Sequence, residues 1–315
     1  MTKHGKKLQA GQRIGLALGG GGARGWSHIG VLRAIQEREL EIAAVAGTSI
    51  GALVGGFAAV GKLDVLEELA GDLDLKRILY LFAEGRFHRS GLVDGRKIID
   101  LVREHVGQPD IDRLPIPFRA VATDIDNGQE VVLEAGDLVQ AIRASIAIPG
   151  IFSPVEWNGR YLVDGGLVNP LPIRVVREMG ADTVIAVDLQ GDGWQETGAR
   201  REHARDEDEP EEQRSGDASS VWVWLEEQRE RVGKSSTDLF NRWTGRDPSP
   251  SILAVLTHTV DIVSAQRTAV ILEETPPDIL IQPDVRAIGY LEFQRAETAI
   301  EAGYRAAVKA LDGHG

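Results

Sequence analysis

Two rhythms of apolar residues alternate along the chain. Residues 13–18, Arg-Ile-Gly-Leu-Ala-Leu, form a short continuous apolar run closed by glycines at 19–22, which predicts a buried strand. From Trp26 to about Glu37 the period changes, with Ile29, Leu32 and Ile35 at helical spacing. Residues 42–46, Ile-Ala-Ala-Val-Ala, predict a second buried strand, followed by a sharp turn over 47–51 and a small-residue helix to about Val60.

The middle of the chain keeps this α/β rhythm. Asp94 is expected to cap a helix over 95–106. A strand over 117–123 turns at Asp126-Asn127-Gly128 into 129–134, and a helix covers about 137–146. Strands near 151–157 and 160–163 flank Asn158-Gly159, a strong hairpin signal. Pro172 suits the first turn of a helix running to Met179, and 183–188 reads as another buried strand. From 191 to 214 there are nine acids, four arginines and almost nothing apolar, so a flexible acidic loop is expected there. A long helix over about 251–273, a strand near 278–282 and a closing helix over about 291–311 complete the pattern. The expected organisation is a tail over 1–12, a catalytic domain over 13–190, an acidic loop with a lid or interfacial helix over 191–250, and C-terminal helices over 251–315 packing on the same core.

Composition narrows the possible chemistry. Cysteine is absent, which removes disulfides, thiol nucleophiles, thiolate zinc sites and iron–sulfur clusters. The net charge is −13, so a nucleic-acid partner is not expected, and the same charge opposes adsorption to an anionic bilayer. Lys3, Lys6, Lys7 and Arg13 form a local exception at the N-terminus, open to contact with anionic headgroups or simply a solvated tail. No apolar run approaches the roughly 20 residues of a spanning helix. The expectation is a cytoplasmic protein that touches the inner membrane face at most peripherally.

Three motifs carry candidate chemistry. In Gly19-Gly20-Gly21-Gly22-Ala23-Arg24-Gly25, between strand and helix, the glycines let backbone N–H groups approach a ligand, and the helix N-terminus favours negative charge. Alone, this loop fits a dinucleotide pyrophosphate or an oxyanion. Gly47-Thr48-Ser49-Ile50-Gly51 lies at a strand-to-helix junction, the setting of a nucleophile elbow. A dinucleotide fold expects an acid where the second strand ends, and none stands in Ala46-Gly47-Thr48-Ser49. Tyr161-Leu162-Val163-Asp164-Gly165-Gly166 places a carboxylate at a strand end with two glycines behind it. None of the seven histidines has a distinctive placement for the base of a hydrolase triad. His28 and His258 read as structural or surface groups.

In this order the motifs resemble the patatin-like phospholipase family, in a form similar to its bacterial branch related to the catalytic domain of neuropathy target esterase. A fourth match is Ala144-Ser145-Ile146-Ala147-Ile148-Pro149-Gly150-Ile151-Phe152-Ser153-Pro154. The resemblance spans about 13–190 and extends to the C-terminal helices. It implies a three-layer α/β/α fold with a mixed, mostly parallel central sheet, and a Ser–Asp dyad without histidine. Ser49 is then the nucleophile and Asp164 the base. Gly20, Gly21 and Gly22 are the oxyanion donors, with Ala23, Arg24, Gly25, Gly47, Gly51, Gly165 and Gly166 supporting the motifs. The implied substrate is a lipid ester, with no cofactor and no metal. Acyl transfer, a non-lipid carboxylesterase and a catalytically silent interaction protein stay open. Burial of Asp164 is expected to raise its pKa and improve it as a base. Trp194, Trp222, Trp224 and Trp243 fall within 191–250 and read either as an interfacial element or as packing.

Overall fold

The computed structural model describes residues 13–82, 93–191 and 252–313. The basic tail, the acidic run and the tryptophan-rich segment lie outside the described residues. The first apolar runs are β1 (Ile14–Leu18) and β2 (Ile42–Thr48), which pair in parallel. They are joined by β3 (Phe118–Asp124), β4 (Glu130–Leu133), β5 (Val155–Trp157), β6 (Arg160–Asp164), β7 (Thr183–Val187) and β8 (Ile279–Ile281). The sheet order is β5–β6–β3–β2–β1–β7–β8, with β4 also paired to β3. Strands β3, β2, β1, β7 and β8 run parallel, whereas β4, β5 and β6 are antiparallel additions.

Helices cover both faces, which is why β1 and β7 are buried at every position. Successive strand side chains point to opposite faces. Leu16, Leu18 and Val45 accordingly pack with α1 (Ser27–Gln36), α2 (Ile50–Ala59), α6 (Leu138–Ser145) and α9 (Ala296–Asp312). Ala17, Ala46 and Ala186 face the other way, onto α7 (Ile173–Glu178) and the end of α8 (Ile252–Glu274). The three-layer α/β/α arrangement that the resemblance implies is thus observed.

Several boundaries differ from the sequence reading. Two short helices, α3 (Leu63–Gly71) and α4 (Leu75–Phe82), occupy a stretch with no predicted element. Asp94 is not the residue from which α5 (Arg96–Val106) starts. Gly95 intervenes with φ 70° as the residue before the helix, and Asp94 pairs with Arg96 at 2.8 Å. The expected strand over 151–157 shortens to β5, because Ile151 and Phe152 turn back onto the Ile148 carbonyl at 3.1 and 2.9 Å. The hairpin turn follows the sequence signal, with positive φ at both Asn158 (49°) and Gly159 (77°).

Strand β3 is the hub that positions the site. Its residues Ala120–Thr123 pair with β4 along one edge. Each strand has two edges, so β2, paired to Phe118–Val121, and β6, paired to Ala122–Asp124, must share the other. One runs parallel to β3 and the other antiparallel. Their C-terminal ends therefore meet head to head, Thr48 opposite Val121 and Asp164 opposite Ala122.

Candidate active site

Ser49 leaves β2 and begins α2 with φ 55° and ψ −123°, a conformation unusual for a residue with a side chain. The turn is possible because its flanks lack side chains. A Cβ on Gly47 would stand 2.3 Å from the Gly51 carbonyl oxygen, and one on Gly51 would stand 2.2 Å from that of Leu18. The Ser49 N–H donates to Ser145 Oγ at 2.8 Å, and that hydroxyl donates to the Val121 carbonyl at 2.6 Å. Ser145 thus ties the elbow to the hub strand.

Ser49 Oγ donates to Asp164 Oδ2 at 2.5 Å, and both residues are buried, at 2% and 1% exposure. Gly166 N–H donates to Asp164 Oδ1 at 2.7 Å. The Asp164 main chain is fixed at both ends: its N–H donates to Ala147 O, and its carbonyl accepts from Thr123 Oγ1. Gly165 packs directly on the Val121 carbonyl. Burial raises the Asp164 pKa to about 6, against the opposing pull of the Ser49 and Gly166 hydrogen bonds. The nearby Tyr290 hydroxyl is held well above the usual phenol range, by burial first and then by the fields of Asp164 and Asp261. It is therefore neutral at physiological pH.

The glycine loop lies across the elbow. Its expected donors are only partly available. Gly20 N–H is committed to the Pro170 carbonyl at 2.9 Å, which removes it as an oxyanion donor. The N–H groups of Gly21 and Gly22 donate to no other backbone group among the described residues. Beyond them, Ala23 N–H donates to Tyr290 O, Arg24 binds Asp261 and the Ile288 carbonyl, and Gly25 packs against Ile50. His28 lies beneath the loop, fully buried, with Nε2 2.8 Å from Gly19 O. A carbonyl only accepts, so Nε2 carries the proton. Burial lowers the His28 pKa to about 4, and the Gly19 bond offsets this only in part, so the ring is neutral and structural. His258 is exposed on α8.

Ser49 and Gly22 line a cavity of about 120 Å³. Its walls are almost wholly apolar: Leu53 and Phe57 of α2, Leu66 of α3, Val102 of α5, and Phe152 beyond them. Among the described residues no cluster of His, Cys, Asp and Glu could hold a metal ion. The roles of Asp261 and Ser264 had no sequence signal, because each acts through a contact nearly 100 or more positions away. Ser145 stood within the fourth matching segment, where nothing marked it as the anchor of the elbow.

The chain matches the family model described as patatin-like phospholipase over residues 16–177, about half its length. An uncharacterized NTE family protein of Mycobacterium tuberculosis (strain ATCC 25618 / H37Rv) is 48% identical over 179 residues, covering 57% of this chain and 49% of that protein. Lysophospholipase NTE1 of Mycosarcoma maydis is 32% identical over 324 residues, covering 96% of this chain and 15% of that protein. VipD from Legionella pneumophila superposes with a TM-score of 0.47 at 17% identity, over 98% of this chain and 70% of that one. The chain spans about half the length of its mycobacterial relatives and a much smaller share of the fungal one. The matched family model and the near full-length similarity to the fungal protein together show that this chain belongs to the patatin-like phospholipase family.

Proposed function

We propose that the protein hydrolyses carboxylic esters of phospholipids or lysophospholipids, with Ser49 as nucleophile and Asp164 as base. The observation that carries this reading is the buried 2.5 Å hydrogen bond to Asp164 from Ser49 Oγ, on a residue that lines an apolar cavity. A carboxylate of ordinary pKa takes a serine proton poorly, and the rise to about 6 narrows that gap. As Ser49 Oγ attacks the acyl carbon, its proton passes to Asp164 Oδ2. The tetrahedral oxyanion is met by the N–H groups of Gly21 and Gly22, each such donor worth on the order of 10²–10³ in rate. Collapse expels the alkoxide, which takes the proton from Asp164 and leaves acyl-Ser49. Water then attacks, giving its proton to Asp164, and release of the fatty acid returns that proton to Ser49.

The acyl chain enters the cavity, where apolar walls gain about 25 cal/mol per Å² of buried surface. A lipid substrate brings the protein to a membrane surface, and among the described residues no helix is long and apolar enough to cross one. The test is fatty-acid release from lysophospholipid micelles and phospholipid vesicles by wild type and Ser49→Ala. Release by the wild type alone is expected. Equal release by both would overturn the assignment.

A further inference from the structure

Helix α8 is turned inside out. Its buried residues are mostly polar, with Thr257, Asp261, Ser264 and Thr268 all at 7% exposure or less. Val255, Leu256, Ile262 and Val270 stand outside. An ordinary surface helix shows the reverse. Burying polar groups is costly unless they find partners, and two of these partners lie on the catalytic loops. Asp261 Oδ1 accepts from Arg24 Nη1 at 3.1 Å, and Ser264 Oγ donates to the Gly166 carbonyl at 3.0 Å. Three residues apart, the two side chains share one helix face. Arg24 follows Gly22 by two residues, and its Nε also donates to Ile288 O at 3.0 Å. Gly166 in turn holds Asp164 Oδ1. One rigid helix therefore ties the oxyanion loop and the turn behind the base to a common frame.

We propose that Asp261 is a positioning residue of the hydrolytic reaction. Through Arg24 it fixes the Gly21 and Gly22 N–H groups where the developing oxyanion needs them. Arg24 is only lightly exposed and Asp261 is buried, so the pair is poorly screened by solvent and its geometry is tightly held. The role rests on the reading of Ser49 as nucleophile, and the experiment separates the two.

The measurement is kcat and KM on p-nitrophenyl butyrate, with the inhibition constant of a trifluoromethyl ketone whose adduct with Ser49 carries the same oxyanion. Asp261→Ala is expected to lower kcat about tenfold or more and to weaken the ketone in parallel. KM is expected to stay within about twofold, because the interaction is gained only in the transition state. Asp261→Asn keeps an oxygen for Arg24 and is expected to recover most of the loss. If Asp261→Ala does not fold, Asp261→Leu fills a similar space without accepting from Arg24 and takes its place. A kcat within about twofold of wild type, or a loss carried by KM alone, overturns the positioning role. With Ser49→Ala inactive, that result leaves the nucleophile standing. An active Ser49→Ala removes both.

Discussion

Ser49 and Asp164 are 115 positions apart in sequence and share a 2.5 Å hydrogen bond, because β2 and β6 end on consecutive rungs of one β3 edge. Thr48, the residue before Ser49, reaches its rung from a parallel pairing and Asp164 from an antiparallel one. Neither strand could shift by one residue without turning its side chain to the opposite face. The pair is thus held by the register of the whole sheet, and loop conformation adds only the final aim.

Removing the proposed nucleophile should leave the fold intact. Ser49→Ala keeps the φ of 55° only at some strain, as serine already does, and deletes one hydrogen bond. The expected result is a native circular dichroism spectrum with no measurable turnover. A fluorophosphonate probe should label wild type at Ser49, read by peptide mass spectrometry. Labelling at another serine would contradict the assignment.

Replacing the proposed base should separate activity from stability. Asp164→Asn is expected to cost about 10³-fold or more in kcat. Its stability should rise, because the ionised carboxyl is costly where it is buried. The shift from 3.8 to about 6 corresponds to roughly 3 kcal/mol of differential cost between protonation states. Thermal unfolding at pH 7.5 checks this, and a lower Tm than wild type would show that the buried charge is better compensated than the geometry indicates.

The same group fixes a pH dependence in two opposite senses. In the proposed mechanism catalysis needs ionised Asp164, so kcat/KM should fall as pH drops through about 6, with a limiting slope of about tenfold per unit. Stability moves the other way. The native carboxyl binds its proton more tightly than the unfolded one, so this contribution is full below 3.8 and is lost as pH rises through about 6. A pH–rate profile on a soluble ester tests the first statement, and denaturant midpoints of wild type against Asp164→Asn across the window test the second.

The elbow should tolerate no side chain at its flanks. A Cβ on Gly51 meets the Leu18 carbonyl at 2.2 Å, a contact with backbone that cannot swing aside. Gly51→Ala is expected to destabilise by about 3 kcal/mol or more, or to prevent soluble expression. A Tm within a degree or two of wild type would mean that the elbow has room the structure does not give it.

The cavity should govern chain length. Val102 lines it from α5 and is 4% exposed. Val102→Phe projects bulk into that space at an overpacking cost of about 1–3 kcal/mol. Hydrolysis of a p-nitrophenyl ester of a long-chain acid should drop sharply while that of the acetate stays within about twofold. Equal losses on both would place the acyl chain elsewhere.

What the sequence determined by itself was local. The buried strands β1 and β7, the helical period of α1, the Asn158-Gly159 turn and the glycines around Ser49 each follow from patterns within a few residues, and the structure bears them out. The resemblance supplied the pairing of Ser49 with Asp164, but no local feature of the chain required it. Only the tertiary structure decided what depends on partners far along the chain. Pro170 takes the N–H of Gly20 and leaves those of Gly21 and Gly22, Arg24 meets Asp261 237 positions away, and α3 and α4 close a cavity in a stretch with no predicted element. A hydrogen-bond donor is spent or spared according to which acceptor the packed chain brings to it, and that is a property of strand register and helix docking rather than of neighbouring residues.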